Sequence, residues 1–292
     1  MPSYDDQNFH VLAPESQETG DLSKSYVLKV MNSVDSQDAD LIEAQTRAMM
    51  FLNEKGFPSP IPIPTTDGKI MSLESIDYGK ESKTHMVRLL TYLPGIPLAQ
   101  MPTGPQILYK AGRTLAEMNR VLAVSQRILP VEVHFTRLNH GDFSHTNILV
   151  QPVQSSADHS DPTHPQQALD ISGILDFTDM NYGCSVCDVA ISIMYLMLES
   201  SDPLSTGGHV LSGFESVTPL VPEERDAVFL LVLCRFSQSL VLARYNILLY
   251  PGNAEYLLTT ARSGWKCLHQ LWSLGKEAVE KIWYEAAKPH CT

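Results

Sequence analysis

The chain reads Leu138-Asn139-His140-Gly141-Asp142-Phe143-Ser144-His145-Thr146-Asn147-Ile148-Leu149-Val150 in its middle, and Ile174-Leu175-Asp176-Phe177 shortly afterwards. Both segments contain a short apolar run rich in Ile, Leu and Val, which is typical of a buried strand. The patterns predict strands over Asn147–Val150 and Leu169–Asp176. Polar side chains occur next to both predicted strands.

The polar side chains are an aspartate, an asparagine five positions later, and an aspartate at the end of the next strand. Phosphoryl transfer from a magnesium nucleotide requires this set. We predict that Asp142 accepts the proton of an acceptor hydroxyl, and that Asn147 and Asp176 bind Mg²⁺. One amide and one carboxylate suffice, because nucleotide phosphates and water complete the shell of Mg²⁺. The tripeptide His140-Gly141-Asp142 alone is a common turn, and the dipeptide Asp176-Phe177 is commoner still, but the joint pattern predicts a small-molecule kinase.

The same residues resemble the aminoglycoside phosphotransferase superfamily, which comprises kinase-like enzymes that phosphorylate small molecules. The resemblance rests on His140-Gly141-Asp142, Asn147-Ile148-Leu149 and Ile174-Leu175-Asp176-Phe177-x-Asp179. It implies an α+β, two-lobed, protein-kinase-like fold. It also implies that His140 supports the site and that Asp188 is a buried support for the catalytic loop.

A branch of this superfamily that acts on 5-hydroxylysine is similar over most of the chain. That resemblance implies GTP-dependent transfer of phosphate to the hydroxyl of 5-hydroxylysine, in lysine catabolism. The residues alone leave choline-like, homoserine-like and aminoglycoside acceptors open, and they do not distinguish ATP from GTP. The segments that carry the resemblance are Pro2–Val11, Val87–Gly95, Gly207–Leu211 and Gly213–Ser216.

The hydrophobic pattern divides the chain into a strand-rich nucleotide-binding lobe, residues 1–93, and a helical catalytic and substrate lobe, residues 94–292. Strands are expected at Asn8–Leu12, Ser25–Met31, Lys69–Glu74 and His85–Tyr92, with one helix at Asp38–Glu54. A proline-rich linker, residues 58–64, follows that helix.

Lys29 lies in the middle of an apolar strand of the first lobe, and Glu43 lies on the following helix. In a kinase such a lysine binds the α- and β-phosphates and is held by the glutamate. Thr91 and Leu93 belong to the predicted connector between the lobes, whose backbone would contact the nucleotide base. A solvent-facing lysine and an ordinary helix glutamate are the alternative.

The segment Ser3–Asn8 precedes these residues and contains no glycine, unlike a glycine-rich phosphate loop. Its backbone amides or polar side chains would have to contact the phosphates. Asp5 and Asp6 would be repelled by phosphate, so we expect them to face solvent, to bind through Mg²⁺ or to contact a substrate amine.

The second lobe is predicted to begin with a helix over Gln106–Val124, whose apolar stripe is expected in the core. Asp179 follows the second metal ligand by three positions and would orient it, contact a substrate ammonium or form a turn. Asp188 opens an apolar helix, where it would serve as a cap or as a support for the catalytic loop. The helical remainder offers core candidates: Phe229, Val232, Phe236, Leu240, Leu257, Leu258, Trp265, Leu268 and Trp272.

Composition excludes some classes of protein. A formal net charge of −12 argues against nucleic acid or an anionic membrane as the main partner, and it would suit a cationic substrate. The five cysteines are odd in number, and the first residues lack the basic and apolar regions of a secretory signal. We therefore expect a cytoplasmic protein with reduced thiols, in which Cys184 and Cys187 are structural.

Two features predict that the chain is shortened relative to this superfamily. About fifteen residues separate Val124 from His140, where the superfamily has a substantial helical segment, and Met1 falls almost on the predicted phosphate loop. Two hypotheses follow. The chain is an active kinase, or it is a catalytically impaired splice form that acts only as a binding protein.

Overall fold

The computed structural model describes residues 6–13, 24–125, 137–153, 168–249 and 259–290. The chain divides into two compact units, Met1–Leu93 and Pro94–Thr292. Helices and antiparallel sheets are both present, so the fold is α+β. Ser3, Asp5, Leu257, Leu258 and the segment between Ser125 and Arg137, where the shortening was expected, lie outside the described residues.

The first unit contains a four-stranded antiparallel sheet in the order β1-β2-β4-β3. Its strands are β1 (Gln7–Leu12), β2 (Ser25–Val30), β3 (Ser72–Asp77) and β4 (Ser82–Thr91). The four predicted strands are confirmed, but the third begins three residues later than expected. Residues 69–71 precede it, and Thr65 accepts a hydrogen bond from the Lys69 amide within a turn.

Helix α1 (Ala39–Glu54) follows β2 in the first unit. The Asp38 carboxylate accepts a hydrogen bond from the Leu41 amide at 3.0 Å, as predicted for a helix cap. The helix ends before Gly56, whose φ of 88° is readily adopted only by glycine. Its buried face includes Ile42, which packs with Met31 and Met86 in an apolar cluster.

The second unit is mainly helical. Its helices are α2 (Pro105–Ser125), α3 (Ser185–Leu198), α4 (Pro203–Glu215), α5 (Pro222–Leu249), α6 (Thr259–Leu274) and α7 (Lys276–Ala287). The predicted apolar stripe of α2 is confirmed as core, because Leu108, Ala111, Leu115, Met118 and Leu122 are each no more than 2% exposed.

Two of these helices, α2 and α4, pack backbone against backbone. A Cβ atom on Gly112 would lie 2.0 Å from the Val210 carbonyl oxygen, and one on Gly213 would lie 2.0 Å from the Tyr109 carbonyl oxygen. Glycine is therefore required at both positions, because any larger residue would force the helices apart.

Among its described residues, the second unit also contains two small antiparallel sheets. One joins β5 (Ile96–Pro97), β7 (Ile148–Pro152) and β8 (Leu169–Ile174), and the other joins β6 (Arg137–Asn139) to β9 (Asn181–Gly183). Ile148 pairs with Ile174, and both are fully buried. This pairing places the residues that precede β7 beside those that follow β8.

Helix α5 has the length and hydropathy of a membrane span, with 39% of its most apolar window buried. Core helices of globular proteins also meet this criterion. Val232, Phe236 and Leu240 form its buried face, as predicted. Trp265 and Trp272 were expected in the core of α6, but they are 59% and 74% exposed.

Candidate active site

The loop predicted to be catalytic, residues 140–147, connects β6 to β7 and is called the catalytic loop below. Its backbone is compact, because the Ser144 amide donates to the Asp142 carbonyl at 2.8 Å and the Ile148 amide donates to the Ser144 carbonyl. Gly141 has a φ of 81°, and a Cβ atom there would lie 2.0 Å from the Asp179 carbonyl oxygen. The glycine of the His-Gly-Asp motif is therefore required by both its backbone conformation and its neighbour.

Asp142 and Asn147 contact each other across this loop. The Asn147 Nδ2 donates to Asp142 Oδ2 at 2.8 Å and to the Asp142 carbonyl oxygen at 3.0 Å. The amide nitrogen therefore fixes the predicted base, and the Oδ1 atom of Asn147 is not used in these two hydrogen bonds. Five positions of spacing suit this arrangement, because the loop must turn back on itself before β7 begins.

Burial raises the pKa of Asp142 to about 7. The nearby Arg235 guanidinium opposes this rise, whereas the negative charges of Asp179 and Asp176 add to it. A carboxylate with a pKa close to neutrality is suited to accept a proton during a reaction and to release it afterwards.

His140 is fully buried behind the base. Its Nε2 lies 3.1 Å from the Leu175 carbonyl oxygen, and its Nδ1 lies 3.3 Å from the Asp142 amide nitrogen. A carbonyl can only accept, so Nε2 carries the proton and Nδ1 accepts from the amide. Burial lowers the pKa of His140 to about 4, and the ring is therefore neutral. This neutral ring links the catalytic loop to the residue that precedes Asp176.

Asp188 lies in the first turn of α3 and is fully buried. Its two carboxylate oxygens accept from the His140 and Gly141 amides, each at 2.8 Å. Burial raises its pKa to about 6, and the two amide hydrogen bonds oppose this rise. Cys184, not Asp188, is the N-cap residue of α3, so of the two roles considered from sequence these contacts favour support of the loop, which stays a prediction.

Asp176 follows β8 and has a φ of 56°. Its Oδ1 accepts from the Thr178 hydroxyl at 2.7 Å, and the Leu175 amide donates to the Asn147 carbonyl at 2.8 Å. The two predicted metal ligands are thus joined through the backbone. Asp179, which lies in the following turn, is exposed, and its carbonyl oxygen accepts from the Asn181 side chain.

The donor set fits Mg²⁺. Asn147 and Asp176 supply an amide oxygen and a carboxylate, which are the hard ligands that this cation prefers. Within the described ranges, no group of three or more His, Cys, Asp or Glu side chains could hold a metal. A kinase-type site does not need such a group, because phosphates and water provide the other ligands.

Lys29 lies in the first unit, and its side chain is 8% exposed. Its Nζ contacts Asp6 Oδ2 at 2.9 Å, and Asp6 Oδ1 accepts from the Asn32 amide at 2.8 Å. Asp6 was expected to face solvent, to bind through Mg²⁺ or to contact a substrate amine. The solvent-facing alternative is wrong, because its side chain is only 6% exposed.

Glu43 was predicted to hold Lys29, and the structure instead pairs it with Arg47. The Arg47 Nε donates to Glu43 Oε1 at 2.8 Å, one helical turn away, and the glutamate side chain is 41% exposed. The buried face of α1 carries Ile42, Gln45 and Thr46, so Glu43 points to the solvent side. The helical period explains this correction. Successive residues are rotated by about 100° around the helix axis, so Glu43 does not share the direction in which Ile42 faces the core.

Thr91 ends β4, and its Oγ1 accepts from the Ile61 amide at 2.9 Å. Its own amide donates to the Ile61 carbonyl. Leu93 is half-buried and is the last residue of the first unit. Their contact with a nucleotide base stays a prediction.

Arg235 and Tyr195 were missed from the sequence. The Arg235 Nη2 lies 3.4 Å from Asp142 Oδ1 and 3.2 Å from the Tyr195 hydroxyl oxygen. Arginine inside the apolar pattern of α5 was a usable signal, because a charge there must find a partner. Its partner could not be identified, since 93 residues separate Arg235 from Asp142.

Comparison with known proteins identifies a family and a shared fold. Residues 3–129 match the model of the family described as "Phosphotransferase enzyme family". Two solved structures share the fold: amicoumacin kinase hAmiN in complex with AMP-PNP, Ca²⁺ and Ami, and a microcompartment-associated aminopropanol kinase. The first has a TM-score of 0.61 at 14% identity, over 92% of this chain and 87% of that one. The second has a TM-score of 0.51 at 16% identity, over 97% and 90%.

Three relatives named "Hydroxylysine kinase" are similar over nearly the whole chain. That of Bos taurus is 44% identical over 338 positions, covering 99% of this chain and 88% of the relative. That of Xenopus laevis is 42% identical, covering 98% and 88%, and that of Danio rerio is 40% identical, covering 99% and 90%.

The bovine alignment of 338 positions is longer than this chain of 292 residues. It therefore includes positions at which only the relative has a residue. The predicted shortening before the catalytic loop agrees with this difference in length, and its place in the chain stays a prediction. The identity and coverage show that the chain belongs to the hydroxylysine kinase family, whose members are small-molecule phosphotransferases that act on a hydroxyl group.

Proposed function

We propose that this protein transfers the γ-phosphoryl group of GTP to the hydroxyl of 5-hydroxy-L-lysine, in the cytoplasm, as a step of lysine catabolism. The acceptor is supported by relatives at 40–44% identity that carry the name "Hydroxylysine kinase". The observation that carries the proposal is the pair Asp142 and Asn147, joined at 2.8 Å in a loop anchored by Asp188.

The chemistry follows from the positions of these groups. The acceptor hydroxyl oxygen attacks the γ-phosphorus, its proton passes to the Asp142 carboxylate, and the bond from the γ-phosphorus to the β-phosphate oxygen breaks. The Asn147 amide keeps the Asp142 carboxylate in place. A pKa of about 7 lets Asp142 accept this proton without a large energetic cost.

Charge on the nucleotide must also be neutralised. Asn147 and Asp176 would hold Mg²⁺, which when bound neutralises phosphate charge. Lys29 would contact the α- and β-phosphates. To do so, its ammonium group would leave Asp6 for the phosphate oxygens or would contact both groups. Since Asp6 is held by the Asn32 amide, it orients the lysine in the absence of nucleotide.

A second candidate function is binding without turnover. Two observations favour it: the relatives have residues that this chain lacks, and Lys29 pairs with an aspartate, not with Glu43. Choline and homoserine are the alternative acceptors within the kinase class. One assay separates these candidates.

The test measures phosphate transfer from Mg²⁺–GTP to 5-hydroxy-L-lysine, with choline and homoserine as competing acceptors and ATP as the competing donor. We expect turnover of 5-hydroxylysine with GTP, and a loss of about 10³-fold or more in Asp142→Asn, since this variant keeps the shape of the base but cannot accept the proton. A folded protein that binds GTP and 5-hydroxylysine without turnover would establish the binding function instead. Turnover of another acceptor would reject 5-hydroxylysine.

A further inference from the structure

A guanidinium lies beside the predicted base. Arg235, on α5, places Nη2 3.4 Å from Asp142 Oδ1 and 3.2 Å from the Tyr195 hydroxyl oxygen. The guanidinium carbon also lies 5.3 Å from the centre of the Tyr195 ring. The reaction scheme above uses neither residue, and proton transfer to Asp142 does not require an arginine at this position.

The guanidinium is held firmly but is not saturated. Its Nη1 donates to Gln238 Oε1 at 2.9 Å, and the side chain is 19% exposed. Its Nε is buried and has no hydrogen-bond partner among the described residues. The 3.4 Å contact with Asp142 is long for a charge-assisted hydrogen bond, which is normally about 2.7–2.9 Å. The buried Nε cannot reach a ligand, but Nη1 and Nη2 carry four N–H groups and make three contacts among the described residues, so Arg235 retains a donor for a further anion.

An arginine at this position bears on which acceptors are favoured. An acceptor hydroxyl must lie within hydrogen-bond distance of Asp142 to be activated, and it would then lie close to Arg235 as well. A purely cationic acceptor would be repelled by the guanidinium, whereas a carboxylate would be bound by its planar fork of donors.

We infer that Arg235 binds the carboxylate of an amino-acid acceptor whose hydroxyl rests on Asp142, and that it thereby selects acceptors that carry an anionic group. This inference rests on the proposed function and deepens it. In 5-hydroxylysine, four carbon–carbon bonds separate the carbinol carbon from the carboxylate carbon, a span of about 5 Å when extended. One molecule can therefore contact both Asp142 and Arg235.

A purely structural role for Arg235 leads to a different expectation. If the arginine only holds Tyr195 and adjusts the charge of Asp142, its loss reduces turnover of every acceptor by the same factor. If it binds the carboxylate, its loss reduces turnover only of acceptors that have one. The ratio between two acceptors that differ only in the carboxylate separates these roles.

The experiment compares 5-hydroxy-L-lysine with its carboxamide, which keeps the hydroxyl and both amines. We expect kcat/KM of the unmodified protein to favour the acid by roughly 10- to 100-fold, as hydrogen bonds to charged groups do. In Arg235→Gln this preference falls to about one, mainly through KM. Arg235→Lys keeps the charge but not the fork, and retains part of the preference. Arg244→Gln, an exposed arginine of the same helix, leaves it unchanged.

A binding measurement keeps this inference separate from the proposed reaction. Calorimetric titration of the acid and the carboxamide, with Mg²⁺ and a non-hydrolysable GTP analogue present, reports the preference without phosphate transfer. Preferential binding of the acid that is lost in Arg235→Gln supports the inference even if no turnover is found. It is overturned if the unmodified protein binds acid and amide equally or binds neither, or if Arg235→Gln, with an unchanged melting temperature, weakens both by the same factor.

Discussion

Several acidic and basic side chains in and around the catalytic loop have pKa values that are shifted by burial. His140 and His145 are buried and neutral, and burial lowers the pKa of each to about 4. Asp142 is half-buried and Asp188 is fully buried, and burial raises their pKa values to about 7 and about 6. The histidines destabilise the fold as the pH falls, whereas the aspartates destabilise it as the pH rises, so the two contributions oppose each other.

His145 offers a test of this balance. In the unfolded chain its pKa is near 6.5, whereas in the folded protein it is about 4. The unfolded state therefore binds a proton that the folded state does not, and the stability present above pH 6.5 is lost as the pH falls toward 4. His145→Gln removes this term. Lowering the pH from 8 to 5 should reduce the free energy of unfolding of the unmodified protein by about 2 kcal/mol more than that of the variant, as measured by urea unfolding.

The control for this measurement is His269→Gln, because that histidine is exposed on α6. It should leave the pH dependence of stability unchanged. If His145→Gln loses stability with falling pH as steeply as the unmodified protein does, burial of this imidazole is not the cause of the loss.

Gly141 offers a second test at this scale. Gly141→Ala combines a left-handed backbone with a Cβ atom placed 2.0 Å from the Asp179 carbonyl oxygen. Strain and overpacking each cost about 1–3 kcal/mol, so we expect a loss of about 3–4 kcal/mol of stability by urea unfolding. Gly56→Ala is the matched control, since Gly56 has a φ of 88° but no atom within 4 Å of the added Cβ. It should lose only about 1 kcal/mol. Equal losses in the two variants would contradict the close approach to Asp179.

At the scale of elements, predictability depends on how long a periodic pattern persists. Helices α1 and α2 and strands β7 and β8 were predicted because a cap, an apolar stripe or a continuous apolar run identifies them. Strands β5, β6 and β9 have two or three residues each, which is too short for a period. They form because segments distant in the sequence pair with each other, and the spacing of residues in the sequence does not predict such pairing.

The exposed face of α6 and the outer face of α1 show the limit of helical spacing. Trp265 and Trp272 are seven residues apart and share a face, but Cys267 and Leu271 form the buried face. Both faces carry apolar residues, so periodicity could not identify which of them is buried.

Glu43 on α1 is a similar case. It was predicted to hold Lys29 because of its residue type, whereas the packing of Ile42 determines which way α1 is rotated. Rotation of a helix depends on its neighbours as well as on its own pattern.

Helix α3 positions the catalytic loop through Asp188, and this role can be tested with Asp188→Asn. An amide has one acceptor oxygen, so an N–H donor would replace one of the two acceptors that face His140 and Gly141. We expect a loss of about 1–3 kcal/mol in urea unfolding and a fall in kcat of about tenfold or more. Asp202→Asn, at the exposed start of α4 where the side chain makes no cap hydrogen bond, is the control. Unchanged kcat in Asp188→Asn would show that the loop does not depend on this anchor.

At the scale of the whole molecule, both units contain residues that are predicted to bind the nucleotide or its Mg²⁺. Lys29 belongs to the first unit, whereas Asn147 and Asp176 belong to the second. A ligand that binds only the folded protein stabilises it by RT ln(1 + [L]/Kd), whichever unit supplies the contacts. Thermal unfolding therefore reports nucleotide binding without requiring turnover, and the dependence on metal reports the contribution of Mg²⁺.

We expect Mg²⁺–GTP at 100 times its Kd to stabilise the protein by about 2.7 kcal/mol, which raises the melting temperature by about 4 °C for a chain of this size. EDTA should abolish the shift. Lys29→Met should reduce it below about 1 °C at the same concentration, because Asp6 then remains buried beside the phosphates without its cation. Lys69→Met, at an exposed lysine, should keep the full shift. A full shift in Lys29→Met, or one that persists in EDTA, would show that GTP binds without the predicted lysine or without metal.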